Sequence, residues 1–258
     1  ANENYYKGEP SIKNVVFQII ENADTAILAL QNGEVDAYQM TPQQVKKLDL
    51  DASNLSTYSY SEGRVGYLEI NCNRVTDEKV RKALLYAMDR KAMDDAAFES
   101  SEYYSIPYTF LPTNSQFYTE DGVEKYEQDV DKAKSMLEDA GVSGLKLKLG
   151  YMSSDAVQSA QALLIQEQLK EVGVTVELAG GDGTAIANAM KDPDNEYDMY
   201  LGGYIMGIDP DTFSSLFEND GAYNYMHYSG YDTIDQLFEE GRSELDESAR
   251  KETYAKLQ

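Results

Sequence analysis

His227 is the single histidine of the chain and stands in Tyr225-Met226-His227-Tyr228. One imidazole can serve as a general base, but it cannot assemble a multi-histidine metal site. No serine sits in a nucleophile-elbow context, so His227 has no visible nucleophile to activate. A solitary histidine among aromatic residues reads first as a packed or surface side chain. Cys72 is the only cysteine, which rules out an intrachain disulfide and a cysteine-based zinc cluster. In Leu68-Glu69-Ile70-Asn71-Cys72-Asn73 it reads as a small buried hydrophobe. These residues predict no catalytic group, no metal site and no cofactor; a hydrolase built on His227 is the reading left for an enzyme.

Three further segments invite chemistry. Gly180-Gly181-Asp182-Gly183-Thr184 lies between a predicted strand and a predicted helix, where backbone N–H groups can meet a phosphate. The third glycine of a dinucleotide fingerprint is missing, Ile186 standing there, and the segment reads as a tight turn. Asp192-Pro193-Asp194-Asn195-Glu196 and Asp209-Pro210-Asp211 cluster carboxylates as a calcium loop does. The first lacks the glycine and terminal glutamate of an EF-hand, so solvated turn acids are expected. More informative is the run from Tyr197 to Phe213. An apolar strand passes into glycines, an aromatic, a proline turn and a helix, which places Tyr204, Ile205, Met206 and Gly207 at the carboxyl end of a strand. In open α/β sheets ligands sit there, although an ordinary strand-turn-helix has the same pattern.

The elements that must position these residues follow from periodicity. Val15-Val16-Phe17-Gln18-Ile19-Ile20 is apolar on both alternating faces, which predicts a buried parallel strand. Ala23 to Gln31 reads as a helix ending at Gly33, Val35 to Tyr38 as a strand, and Thr41-Pro42-Gln43-Gln44 as a capping box with proline at the first helical position. Leu55 to Tyr60 and Val65 to Ile70 are two extended segments around Glu62-Gly63, an expected lobe boundary. Val80, Ala83, Leu84 and Ala87 follow the acidic turn Asp77-Glu78 at helical spacing. From Glu99 to Gln128 periodicity lapses, and Tyr103, Tyr104, Tyr108, Phe110, Phe117 and Tyr118 belong to a loop that either covers a core or lines a site. Two helix-glycine-strand units follow, stopping at Gly141 and Gly173 and leading into Leu145–Leu149 and Val174–Leu178. Ile234, Leu237, Phe238, Gly241 and Leu245 form a helical stripe, and a last helix opens at Ser248. Sheets over Asn14–Tyr60 and Leu145–Gly203 are expected to be separate.

The chain has 258 residues, 22 Lys and Arg against 46 Asp and Glu, and a formal net charge of -24. That field repels nucleic acid and anionic membrane surfaces, so neither is an expected partner. With 42% hydrophobic residues and 21 tyrosines, the composition is that of a folded chain and not of an acidic disordered tail. No run of 18 apolar residues occurs, and the N-terminus lacks a signal-peptide pattern.

Asn4-Tyr5-Tyr6-Lys7-Gly8, Ala29 to Asp36, Val80-Arg81-Lys82-Ala83-Leu84 with Ala87-Met88-Asp89-Arg90, Asp131-Lys132-Ala133-Lys134 with Leu137 to Gly141, and Tyr228 to Asp232 form an ordered set. In it the chain resembles the peptide/nickel class of extracellular solute-binding proteins, the ligand-capturing subunits of bacterial ABC importers. The resemblance implies an α/β fold, periplasmic-binding-protein-like, type II, mostly lobe two with part of lobe one. It implies residues 1–62 as a βαβ portion of lobe one, 63–258 as lobe two cut before the chain returns to lobe one, and the whole as a piece of a longer protein. Gly203-Tyr204 matches a Gly-Trp of the family, whereas Met206-Gly207 occupy the region of the Asp that takes a peptide's amine; Asp209-Pro210 matches a separate Asp-Pro. The expected ligand-binding residues are therefore Gly203, Tyr204, Ile205, Met206 and Gly207. The implied function is non-enzymatic capture of oligopeptides, or of a metal chelate or sugar, between two lobes. The implied partners are that ligand and an ABC permease, and the implied state is a monomer at the extracellular face of the membrane, lipid-anchored, or in the periplasm.

Overall fold

The computed structural model describes residues 2–20, 22–50, 54–60, 62–98, 100–205 and 207–258. The chain divides into two compact units, 1–59 and 60–258. In the first, helix α1 (Ala23–Gln31) starts where the Asn22 side chain accepts the Thr25 N–H at 2.9 Å. Helix α2 (Pro42–Val45) has the expected capping box: the Gln44 N–H donates to Thr41 Oγ1, and the Thr41 N–H donates to Gln44 Oε1. The strands expected at 15–20 and 35–38 do not form, and the segment 55–60, expected to be extended, joins no strand ladder. Val16 and Phe17 are 88% and 91% exposed. A strand is stable only when a neighbour completes its ladder and covers its apolar faces. Among the described residues 2–59 no such neighbour exists, so there is no sheet over Asn14–Tyr60.

The second unit holds a four-stranded sheet built from β1 (Arg64–Ile70), β2 (Lys146–Met152), β3 (Thr175–Gly181) and β4 (Met199–Ile205), in the order β1-β4-β2-β3. β2 pairs with β3 and β4 in parallel, and β1 pairs with β4 antiparallel. Helix α3 (Glu78–Tyr86) forms where expected, with Glu78 in its first turn and Asp77 just before it as the N-cap, accepting the Lys79 N–H at 2.8 Å. Helix α4 (Arg90–Phe98) buries Met93 and Ala97 one turn apart, and Asp89 starts it, its carboxylate accepting the Ala92 N–H at 2.9 Å. Helices α5 (Val130–Asp139) and α6 (Ala156–Glu171) precede β2 and β3, so the two helix-glycine-strand units are present. Helix α7 (Gly183–Met190) connects β3 to β4. A 3-10 turn (Pro210–Phe213) and helices α8 (Ser214–Phe217), α9 (Asp232–Ser243) and α10 (Glu247–Leu257) complete the chain. Leu245 lies beyond α9 and is 97% exposed, so the predicted stripe ends one turn early.

Because side chains alternate across a strand, Leu147, Leu149, Val176, Met199, Leu201 and Ile70 bury one sheet face under α3 and α6. The aromatic segment after α4 packs over a core: Leu111 and Phe117 join Phe213, Leu216, Phe238 and Tyr254. A polar clamp fixes the start of β4. Asp198, 7% exposed, accepts from Arg74 Nε at 2.7 Å and from the Lys148 N–H at 2.7 Å, and its carbonyl takes the Asn71 N–H.

Candidate functional site

The register of β1 on β4 sets Val65 opposite Tyr204, Tyr67 opposite Gly202 and Glu69 opposite Tyr200, all on the sheet face away from the large core. Gly202 makes room there: a Cβ on it would lie 2.5 Å from Tyr67 Cε2 and 2.9 Å from Tyr200 Cε1. The Tyr67 ring therefore lies across the strand and stacks on Tyr204 with centroids 5.9 Å apart. Tyr204 meets Tyr223 at 5.2 Å, Tyr223 meets Tyr225 at 6.1 Å, and Tyr225 meets Tyr200 at 6.3 Å. Within this chain of rings Glu69 is 4% exposed, and its Oε2 accepts no hydrogen bond. Burial pushes its carboxyl up to about 8, because removing water penalises the charged form. Burial also raises the phenols of Tyr67, Tyr200, Tyr204 and Tyr225, and the Glu69 charge adds to each.

Gly203, Tyr204 and Ile205 end β4, and Gly207 follows; Met206 lies outside the described residues. Arg64 reaches over Gly203, where a Cβ would be 2.7 Å from its terminal nitrogen. Ile205 is 62% exposed. Gly207, at φ +77°, turns beside Gly63, at φ +63°, a backbone region that a side chain disfavours. The ladder of β4 with β2 stops at Gly150 and Tyr200, so from Leu201 to Ile205 the strand is laddered to β1 alone. A strand end with one unladdered side and aromatic walls can receive an extended chain by main-chain hydrogen bonds. Glu69 and Tyr67 were not singled out from the sequence. The local signal is a glutamate between Leu68 and Ile70 near the buried end of β1, and its meaning depends on the pairing with Tyr200.

The remaining candidates have structural roles. The His227 ring nitrogen Nε2 lies 2.8 Å from the Met190 carbonyl, at the last residue of α7, where a donor satisfies a helix-end acceptor. Cys72 is half-buried, and burial raises its thiol, the opposite of an activated nucleophile. Asp182 caps α7 by accepting the Ala185 N–H at 2.7 Å, which sets a carboxylate where a phosphate would sit. Asp209 pairs with Arg250 at 3.0 Å and Asp211 with Arg242 at 2.9 Å, so arginines supply the countercharge a cation would bring. No cluster of metal-ligating side chains occurs among the described residues. No helix among them is long and apolar enough to cross a membrane.

A sequence profile described as "Bacterial extracellular solute-binding proteins, family 5 Middle" matches residues 1–225. The crystal structure of the ABC transporter substrate binding protein CtaP from Listeria monocytogenes superposes with a TM-score of 0.90 at 37% identity, covering 100% of this chain and 53% of that one. The oligopeptide-binding protein AppA of Bacillus subtilis is 26% identical over 280 residues, covering 100% of this chain and 50% of its own length. The nickel-binding periplasmic protein of Escherichia coli is 26% identical over 218 residues, covering 74% and 40%. The chain thus spans about half the length of these relatives or less.

Proposed function

Because this chain belongs to the bacterial extracellular solute-binding proteins of family 5, we propose that it is part of the binding subunit of an ABC importer, capturing oligopeptides between two lobes and delivering them to a membrane permease. Its fold is the type II periplasmic-binding-protein-like α/β fold of its structural neighbours. In this reading residues 1–62 contribute to lobe one and 63–258 form lobe two. Gly203, Tyr204, Ile205, Met206 and Gly207 line lobe two's wall of the cleft. The protein works by closure rather than by catalysis, as a monomer outside the cytoplasm held by a lipid anchor or free in the periplasm.

One observation carries the reading: the β4 end from Leu201 to Ile205 is laddered on one side only and finishes in an exposed isoleucine beside a tyrosine wall. An extended peptide can add there as a strand, with affinity from the main chain and side-chain pockets left tolerant. Native mass spectrometry of the protein in its full natural length, purified from its host, is expected to find co-purified peptides. A second reading, a metal chelate or sugar as cargo, is favoured by Met206-Gly207 standing where the resemblance leads one to expect an aspartate. A bound chelate or sugar with no peptide would establish it instead.

A further inference from the structure

We propose that Glu69 and the tyrosines around it form a subsite for a cationic group of the ligand, an ammonium or a guanidinium. The inference rests on the binding reading above and adds a specificity to it. Glu69 is buried to 4% exposure with an unfilled acceptor at Oε2, and no lysine or arginine among the described residues pairs with it. A buried carboxylate is tolerated when it stays neutral or meets a cation. Every group whose titration it influences is a phenol: Tyr67 from β1, Tyr200 and Tyr204 from β4, and Tyr225 from the segment before α9, with Tyr223 in edge contact beyond. Aromatic faces attract cations, and most strongly where water is excluded. Tyr204 and Tyr223 link this buried group to the exposed β4 end, since Tyr204 belongs to that end and Tyr223 is 39% exposed. The net charge of -24 favours the approach of cations over anions.

The carboxyl, held neutral by burial near pH 7, must give up its proton when the cation arrives. Binding then joins the carboxylate to the cation and releases one proton to the buffer. A neutral ligand releases none.

Calorimetry on the protein in its full natural length tests this with a lysine-containing hexapeptide, its norleucine counterpart, and N-acetylated forms of both. The lysine peptide is expected to bind about tenfold tighter or more than the norleucine peptide. Its enthalpy should vary with the ionisation enthalpy of the buffer. Glu69→Gln should abolish both differences, so that the lysine and norleucine peptides bind alike and neither enthalpy follows the buffer. If that variant does not fold, the nearly isosteric Glu69→Met takes its place. A loss on acetylation that persists in Glu69→Gln places the recognised cation at another group and overturns the subsite. Equal affinities for charged and neutral peptides in the unaltered protein, with no buffer dependence, overturn the subsite and leave peptide binding standing. If no peptide binds, the peptide reading fails by itself, and n-butylammonium decides the subsite: a tyrosine fluorescence change that Glu69→Gln removes supports it, and no change overturns it.

Discussion

Glu69 shows how much one residue can differ from its reading in the linear chain. In the unfolded protein it titrates near the ordinary glutamate value of about 4.3, whereas burial holds it at about 8 in the fold. The folded pKa is the higher one, so the unfolded state loses its proton first as pH rises. The Glu69 contribution is fully present below about pH 4.3 and is lost progressively up to about pH 8, by on the order of 1 kcal/mol per pH unit. Glu69→Gln is therefore expected to flatten the stability profile across that window and to be the more stable protein at pH 8. Urea unfolding at several pH values checks this, and parallel profiles for the two proteins would contradict it. Tyr204 makes the complementary case, because its ring touches Tyr67 and Tyr223 at the exposed strand end. If peptides lie there, Tyr204→Ala weakens them about tenfold, while Tyr204→Phe, which keeps the ring, changes affinity little. Titration calorimetry separates these outcomes, and an unchanged Tyr204→Ala affinity would remove Tyr204 from the site.

At the scale of elements, the β1–β4 pair is held by two devices that side-chain substitutions can separate. The Asp198 clamp joins the turn after β1, the start of β4 and β2 through two 2.7 Å bonds to one buried carboxylate. Asp198→Asn keeps the shape but replaces one acceptor by a donor. It is expected to cost about 2–4 kcal/mol in denaturant unfolding, because charge-assisted bonds are lost and a buried donor is left facing another. Gly202 is the second device, giving its volume to the rings of Tyr67 and Tyr200. Gly202→Ala is expected to cost about 1–3 kcal/mol by overpacking. Gly66 in β1 has open space where a methyl group would stand, with nothing within 4 Å, so Gly66→Ala serves as a near-neutral control. Equal stabilities for the two alanine variants would show that the rings move aside freely.

For the whole molecule, the two compact units carry unequal cores. Among the described residues, the three clusters of buried apolar side chains all lie within 60–258, while Ala26, Ile27 and Ala29 are the buried apolar residues of 1–59. Residues 60–258 produced alone are therefore expected to unfold cooperatively, and residues 1–59 alone to show little fixed structure by circular dichroism. Non-cooperative melting of 60–258 would mean that its core depends on the first unit. Peptide affinity should behave differently from folding. A ligand touching one wall loses its translational and rotational freedom in full but gains only part of the contact. The 258-residue chain is thus expected to bind peptides far more weakly than the protein in its full natural length. Equal affinities, measured by tyrosine fluorescence, would refute closure between two lobes.

What the linear chain determined by itself is what local chemistry encodes. Asp77, Asn22 and the Thr41–Gln44 box start their helices because a side-chain oxygen meets an orphan N–H only a few residues away. The alternation of Leu147 and Leu149 follows from burial of one sheet face against helices, and the apolar run of β4 from burial on both faces, Met199 and Leu201 in one cluster and Tyr200 in another. The family was legible too, since its motifs recur in order along the chain, and the profile match over residues 1–225 agrees. Tertiary structure decided the rest, because pairing is not local. Val16 and Phe17 have strand-like side chains but no neighbouring strand among the described residues of their unit. Glu69 acquires its meaning only when the antiparallel register sets it against Tyr200 and loop residues bring Tyr225 over it. Desolvation depends on everything that surrounds a group, and for Glu69 those surroundings come from segments far apart in the chain.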